Sequence, residues 1–298
     1  MYKFIKVENK IIGRYGMLSE IKDNTIRTYL VPIYLYISCK TDRLGELRTN
    51  IEDIVVWCGL KPNSHKGNSN DNIKQVLCYL KEKDIISFDV DIDKIKPKEL
   101  FTISYEEVDE GFGMAYAEHL KKIINMDVKG VDKAKLLTYY CFLVVSMHRN
   151  EKAYIHGGRY NVCYWSIEKT SKYIHLNKNT IIKYNKLLVD MDIIRIARPV
   201  FEINGKVYKG NNIYTFYWDC YKDKELGISI WYGELQGHIH FGFKQFVAEK
   251  FNVDVSEVKI KKNIKSMLLY TDYYKEVKAI ELMDNEEESV FEEESEII

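Results

Sequence analysis

The chain is poor in the features that mark secreted and membrane proteins. Its six cysteines, at 39, 58, 78, 141, 163 and 220 of 298 residues, include no Cys-x-x-Cys pair. Most fall within apolar patterns, so they are expected to be reduced core residues rather than a disulfide framework or a metal site. No apolar run approaches the ~20 residues of a membrane span. The longest candidate, Tyr139 to Met147, is too short. The N-terminus lacks the basic, apolar, small-residue order of a signal peptide, so a cytoplasmic protein without a membrane partner is expected.

Basic residues are missing from the C-terminal tail, where acids concentrate. Residues 281–298 carry nine acids and no Lys or Arg. The formal net charge of zero therefore conceals a body with 44 basic and 35 acidic groups, a net of +9. A basic body with an acidic tail suits a polyanion partner. Apolar residues make up 46%, enough for real cores, and the length allows about two domains.

One pattern occurs twice. In the clearer copy, Lys133 to Met147 reads as an apolar helix. Ser166 then caps a helix whose inner face is Ile167, Thr170, Ser171 and Ile174, with Leu176 in the turn. Asn177 caps a second helix that buries Ile181, Tyr184, Asn185 and Leu188. Its other face shows Lys178, Asn179, Ile182, Lys183 and Lys186. A strand follows at Ile193–Arg198, and Asn204-Gly205 supplies the positive φ angles of a type I′ hairpin between Phe201 and Tyr208. A closing strand is expected from Ile213 to Trp218. Helix, helix-turn-helix, then hairpin is the pattern of a winged helix-turn-helix.

The fainter copy has its first helix at Thr28 to Cys39, which tolerates Pro32 only in a first turn. Ile51, Ile54, Val55, Cys58 and Leu60 match the first inner face at an offset of 116 residues. Ile73, Val76, Leu77 and Leu80 match the second at 108, the turn around Lys61–Asn68 being eight residues longer. Both copies close on Asp-Ile-Ile, at 84–86 and 192–194. Tyr15-Gly16-Met17 and Phe112-Gly113-Met114 are candidate start marks.

The copies differ in charge. Residues 166–210 hold nine basic and four acidic groups, whereas residues 50–90 hold five and six. At the start of the second helix, Asp71 in one copy stands where Lys178 stands in the other. An acid there satisfies the helix dipole and repels a phosphate; a lysine opposes the dipole and makes sense beside a phosphate. DNA reading is thus expected of the second copy, and dimerisation or partner binding of the first.

From Ser166 to Ile194, with the hairpin Arg195 to Phe216, the chain resembles plasmid and phage replication initiators. The tandem arrangement is similar to that of iteron-binding initiators with two winged helices, and the first copy resembles the winged helix of DnaD-like primosomal proteins. Asn185, at a position normally apolar, departs from the pattern, and nothing after residue 218 is matched. The resemblance implies a mechanism without catalysis or cofactor. The second helix would enter the major groove, with Asn177, Lys178, Asn179, Thr180, Lys183 and Lys186 near bases and phosphates. Lys172, Arg195, Arg198, Lys206 and Lys209 would hold the DNA backbone. Double-stranded DNA, a helicase or helicase loader, and a second copy of the chain are the implied partners. The runner-up is a transcriptional regulator of a mobile element.

An enzymatic alternative rests on His238-Ile239-His240, a triplet whose histidines share one face of a strand and would hold a metal ion. With Tyr270, Tyr273 or Tyr274 as nucleophile it would suit DNA nicking. Against it, residues 219–280 are few for such a domain, and 23 tyrosines make a nearby one unremarkable. A strand or hairpin packed on the second copy is the simpler reading, with Trp218 and Trp231 as core. Asp254–Glu257 has capping-box spacing and is expected to open a helix reaching Tyr274.

The expected class is mainly α with small β-wings, an α+β fold. The expected domains are 1–90, a connector with a helix at 91–131, 132–218, a C-terminal segment at 219–280, and a disordered acidic tail at 281–298.

Overall fold

The computed structural model describes residues 4–13, 15–63, 65, 67–149, 161–163, 165–216, 243–261 and 267–270. The fold is mixed α and β, with helices predominating and small antiparallel sheets. No helix among the described residues is long and apolar enough to cross a membrane.

The first copy begins with helix α2 (Asn24–Lys40), preceded by strand β1 (Phe4–Glu8) and the short helix α1 (Asn9–Ile12). Asp23 caps α2 by accepting the Ile26 N–H. Pro32 therefore lies in the helix interior, not in its first turn as expected. An interior proline costs about 3 kcal/mol. Burial of every residue from Thr28 to Ile37 offsets it. Strand β2 (Glu46–Thr49), helix α3 (Ile51–Trp57), helix α4 (Ser69–Glu82) and strand β3 (Phe101–Ser104) follow. β2 pairs antiparallel with β3, and Ser87 bridges to Ser104 on the other side of β3. The sheet of this copy thus extends beyond residue 90.

The second copy has the same order of helices and closing strand, with a further strand before its second helix and a hairpin before the closing strand. Helix α6 (Gly130–Ser146) is followed by strands β5 (His148–Arg149) and β6 (Asn161–Cys163), helices α7 (Ile167–Ile174) and α8 (Lys178–Asp190), and strand β7 (Ile194–Ala197). A hairpin of β8 (Val200–Ile203) and β9 (Lys206–Lys209) leads to β10 (Ile213–Phe216). β10 lies between β7 and β6, as β3 lies between Ser87 and β2.

The two sequence offsets reappear as backbone geometry. Gly59 and His175, 116 residues apart, both take positive φ, 72° and 54°, in the turn after α3 and α7. Asp84 and Asp192, 108 apart, do so at 53° and 54°. The following isoleucines donate to equivalent carbonyls, Ile85 to Leu80 and Ile193 to Leu188. Ile73, Val76, Leu77 and Leu80 are fully buried, and so are Ile181, Tyr184, Asn185 and Leu188.

The candidate start marks do not correspond. Tyr15-Gly16-Met17 leads into a 3-10 turn, whereas Phe112-Gly113-Met114 lies in strand β4 (Phe112–Tyr116). The true counterpart of β4 is β1, 108 residues earlier; α1 matches helix α5 (Ala117–Ile124), with Ile11 and Ile12 buried where His119 and Leu120 are buried. β1 and β4 pair antiparallel with Lys6 opposite Met114, its own counterpart, and Phe4 and Glu8 opposite Tyr116 and Phe112. That register is what a local two-fold axis through the central pair produces. α2 and α6 also pack on each other. Tyr34 donates to the Lys6 carbonyl of β1 (3.3 Å), and Tyr140, at the same place counted from the start of its helix, accepts the Tyr116 N–H of β4 (3.1 Å).

The described part of the C-terminal segment folds onto the hairpin. Helix α9 (Lys244–Phe251) places Val247 and Ala248 in one cluster with Phe201, Ile203, Ile213, Phe243, Val258 and Met267. Strand β11 (Lys259–Ile260) extends β8, and β12 (Leu268–Leu269) extends β7. The Asp254 capping box exists, but it opens a 3-10 turn at Val255–Glu257 instead of a long helix. Val258 enters the core and β11 pairs with β8, so extended backbone wins there. Cys58, Cys141 and Cys163 are free and buried, as expected, whereas Cys39 and Cys78 are half-exposed. Burial pushes the Cys58 and Cys163 thiols up to about 12.

The described residues group into two compact units, one from 1–146 and 168–181, the other from 147–167 and 182–298. The chain crosses between them after α6, after the first residue of α7 and within α8.

Candidate nucleic-acid interface

α8 begins where the sequence places it. The Asn177 side chain accepts the Asn179 N–H (2.8 Å), and the Asn177 carbonyl accepts the Ile181 N–H (3.0 Å). The cap occupies the Asn177 amide oxygen, which makes this residue a positioner of the helix first. Along the helix, Lys178, Asn179, Ile182, Lys183 and Lys186 are exposed, and Thr180 is half-buried. Residues 179, 182, 183 and 186 follow the i, i+3, i+4, i+7 spacing of a single stripe. Lys178 lies 3.4 Å from Glu168, with both side chains more than half exposed. Such a pair is worth at most about 1 kcal/mol, so a phosphate can replace Glu168 as the partner. Lys172 is exposed on α7.

The hairpin is a braced element. Asn204 and Gly205 take φ of 50° and 76°, the two positive values of a type I′ turn. Lys206, Val207 and Lys209 are exposed on β9. Beneath them Phe201 stacks on Tyr208 with ring centres 5.4 Å apart, and Tyr208 meets Phe251 of α9 at 5.1 Å. Gly210 donates to the Pro199 carbonyl (2.8 Å) and lies so close to the Phe243 ring that a Cβ would come within 2.9 Å. Arg198 donates through Nε to the Asn212 amide oxygen (2.9 Å), and Asn212 in turn donates to the Tyr214 hydroxyl (3.2 Å).

Arg195 is the exception among the expected DNA contacts. It is 4% exposed, and its guanidinium donates to Asp192 (2.7 Å) and to the Ile194 carbonyl (3.1 Å). β7 is an interior strand between β12 and β10, and every residue from Ile194 to Ala197 is buried. Arg195 braces the Asp192 turn and does not present its charge to solvent. The alternation Ile-Arg-Ile suggests one solvated face, but the guanidinium turns back onto Asp192 and the Ile194 carbonyl and is buried there.

The equivalent surface of the first copy is different. At the positions of Asn179, Ile182, Lys183 and Lys186, α4 carries Asp71, Lys74, Gln75 and Cys78, so Asp71 matches Asn179 and the counterpart of Lys178 is Asn70, not Asp71 as expected. Asp71 accepts the Gly67 N–H (2.8 Å). The Lys74 ammonium donates to the Asp93 and Ile95 carbonyls at 2.9 and 3.0 Å. An open cleft of about 520 Å³ lies on this face, lined among others by Asp71, Glu82 and Asp93. Three carboxylates against one committed lysine repel a phosphate backbone.

Among the described residues, no group of three or more His, Cys, Asp or Glu side chains is placed to hold a metal ion. His238, His240, Trp218, Trp231, Cys220, Tyr273, Tyr274 and the acidic tail lie outside the described residues. No protein-family model, curated protein or solved structure matches the chain.

Proposed function

We propose that the chain is a sequence-specific binder of double-stranded DNA, built from two winged helix-turn-helix copies, and that it acts as a replication initiator of a plasmid or phage. The winged-helix reading is supported by a helix, a strand, two helices and a closing strand in both copies, the closing strand lying between the earlier strand and the segment that follows the second helix, Ser87 in one copy and β7 in the other. The single observation that carries DNA binding is the exposed stripe of α8, with Lys178, Lys183 and Lys186 around Asn179. Such a helix fits the major groove, with the lysines on phosphates and Asn179 on a base edge. Lys206 and Lys209 on the braced hairpin give a second phosphate-binding element. The first copy, with its acidic cleft, is the better surface for a protein partner, whether a second copy or a helicase or helicase loader.

A mobility-shift titration against random and origin-like duplexes tests the reading. Binding that weakens steeply as salt rises from 50 to 200 mM is expected of a protein neutralising several phosphates; no binding at low salt refutes it. Initiation is separated from transcriptional regulation by supplying the chain to a plasmid that carries the selected site and no initiator. Maintenance of that plasmid supports initiation. Site-specific binding without maintenance favours the regulator.

A further inference from the structure

We propose that α8 reads A·T base pairs, with Ile182 seated against thymine methyl groups and Asn179 paired with the edge of adenine. The inference rests on α8 being the reading helix and names what it reads. Placed on phosphates, as proposed above, the lysines of the stripe supply charge, which every sequence shares; a lysine on guanine O6 or N7 is the competing reading, and a G·C-only site would reveal it. Discrimination therefore falls to the two uncharged members, Asn179 and Ile182, one turn apart.

Ile182 is 39% exposed in a stripe otherwise made of Asn179, Lys183 and Lys186. A β-branched side chain lowers helix propensity, and more than a third of this one is left in solvent. The counterpart in α4 is Lys74, whose ammonium is held by two backbone carbonyls, so the shared fold does not demand an apolar residue there. In the major groove the one apolar feature is the C5-methyl of thymine. Asn179 complements it. Its backbone N–H is already taken by the Asn177 side chain, and its own side chain is exposed. A carboxamide matches the N7 acceptor and N6 donor of adenine, and an adenine beside a thymine places both targets along the groove. α8 has no arginine to fork onto guanine, and its one acid, Asp190, stands at the far end, away from where cytosine N4 would need an acceptor.

The test starts with selection from a duplex pool randomised over two helical turns. The enriched site is then resynthesised with each thymine replaced in turn by deoxyuridine, which removes only the methyl. The expected result is an A·T-containing site in which one or two replacements weaken wild-type binding about three- to fivefold, the worth of a methyl contact. Ile182→Ala should bind thymine and deoxyuridine sites equally, with an unchanged far-ultraviolet circular dichroism spectrum, whereas Ile182→Val should keep part of the preference. Asn179→Ala should lose about 5- to 100-fold of discrimination at one adenine. Specific binding that is indifferent to every deoxyuridine, or a site whose centre is only G·C, overturns this inference and leaves the DNA-reading proposal standing. No enrichment and no binding to the pool at low salt overturns both.

Discussion

α4 and α8 occupy the same place in two copies of one fold, and they differ almost entirely in what they do with their outer faces. Their inner faces are interchangeable in kind: Ile73, Val76, Leu77 and Leu80 in one, Ile181, Tyr184, Asn185 and Leu188 in the other. Their outer faces are opposites. α4 turns Asp71 and a lysine tied to carbonyls toward an acidic cleft, whereas α8 shows three lysines, an asparagine and an isoleucine. Duplicated packing preserves the fold, and the solvated stripe is then free to take on another role. The Asn185 at the position of Leu77 is the one inner-face departure, and the structure does not explain it.

The largest effect should be the same in both copies. Leu80→Ala and Leu188→Ala each remove a fully buried side chain, and each should cost about 2–5 kcal/mol in chemical unfolding. A near-zero cost in one copy would end the claim that the inner faces are equivalent. Next comes Arg195→Ala. With its guanidinium buried on Asp192 and the Ile194 carbonyl, it should lower stability by about 1–3 kcal/mol. It should leave the salt dependence of DNA binding unchanged. A reduced salt slope at full stability would return Arg195 to the phosphate contacts. Gly205→Ala forces a side chain into a φ of 76° and should cost about 1–2 kcal/mol. It should also weaken DNA binding if the hairpin is a second contact.

The smallest effect concerns the thiols. Cys58 and Cys163, pushed up to about 12 by burial, should resist an alkylating reagent until the chain unfolds, while half-exposed Cys39 and Cys78 react. The sign for stability follows from linkage. The unfolded thiols ionise first, so their contribution is complete below pH ~9 and is lost as pH rises toward 12. Rapid labelling of all described cysteines at neutral pH would contradict the burial.

Much of the duplication was legible in the sequence because inner faces of amphipathic helices leave a strong period. The offsets of 116 and 108, the Asn177 cap, the Asn204-Gly205 turn and the Asp-Ile-Ile closures all map onto backbone geometry. The opening strands were not legible. β1 and β4 are each five residues long, and their relation lies in a register between distant segments that no local pattern announces. Pro32 misled in the other direction, since a local rule against interior proline is overridden by burial on α4 and α6. Arg195 differs for a related reason: the alternation Ile-Arg-Ile reads as one solvated face, whereas its side chain folds back onto Asp192 and the Ile194 carbonyl and is buried. Exposed stripes are legible as lists of residues, but whether a lysine is committed, as Lys74 is, depends on a loop about 20 residues away.

The central claim is that reading belongs to α8 and not to α4. Fluorescence anisotropy of a labelled duplex, measured from 50 to 200 mM salt for wild type, Lys183→Ala with Lys186→Ala, and Lys74→Ala, tests it most directly. Each lost phosphate contact should lower the salt slope by about one. The account predicts a slope lower by about two, with markedly weaker binding, for the α8 double variant, and the wild-type slope for Lys74→Ala. Equal losses in the two variants, or a loss in Lys74→Ala alone, would contradict it.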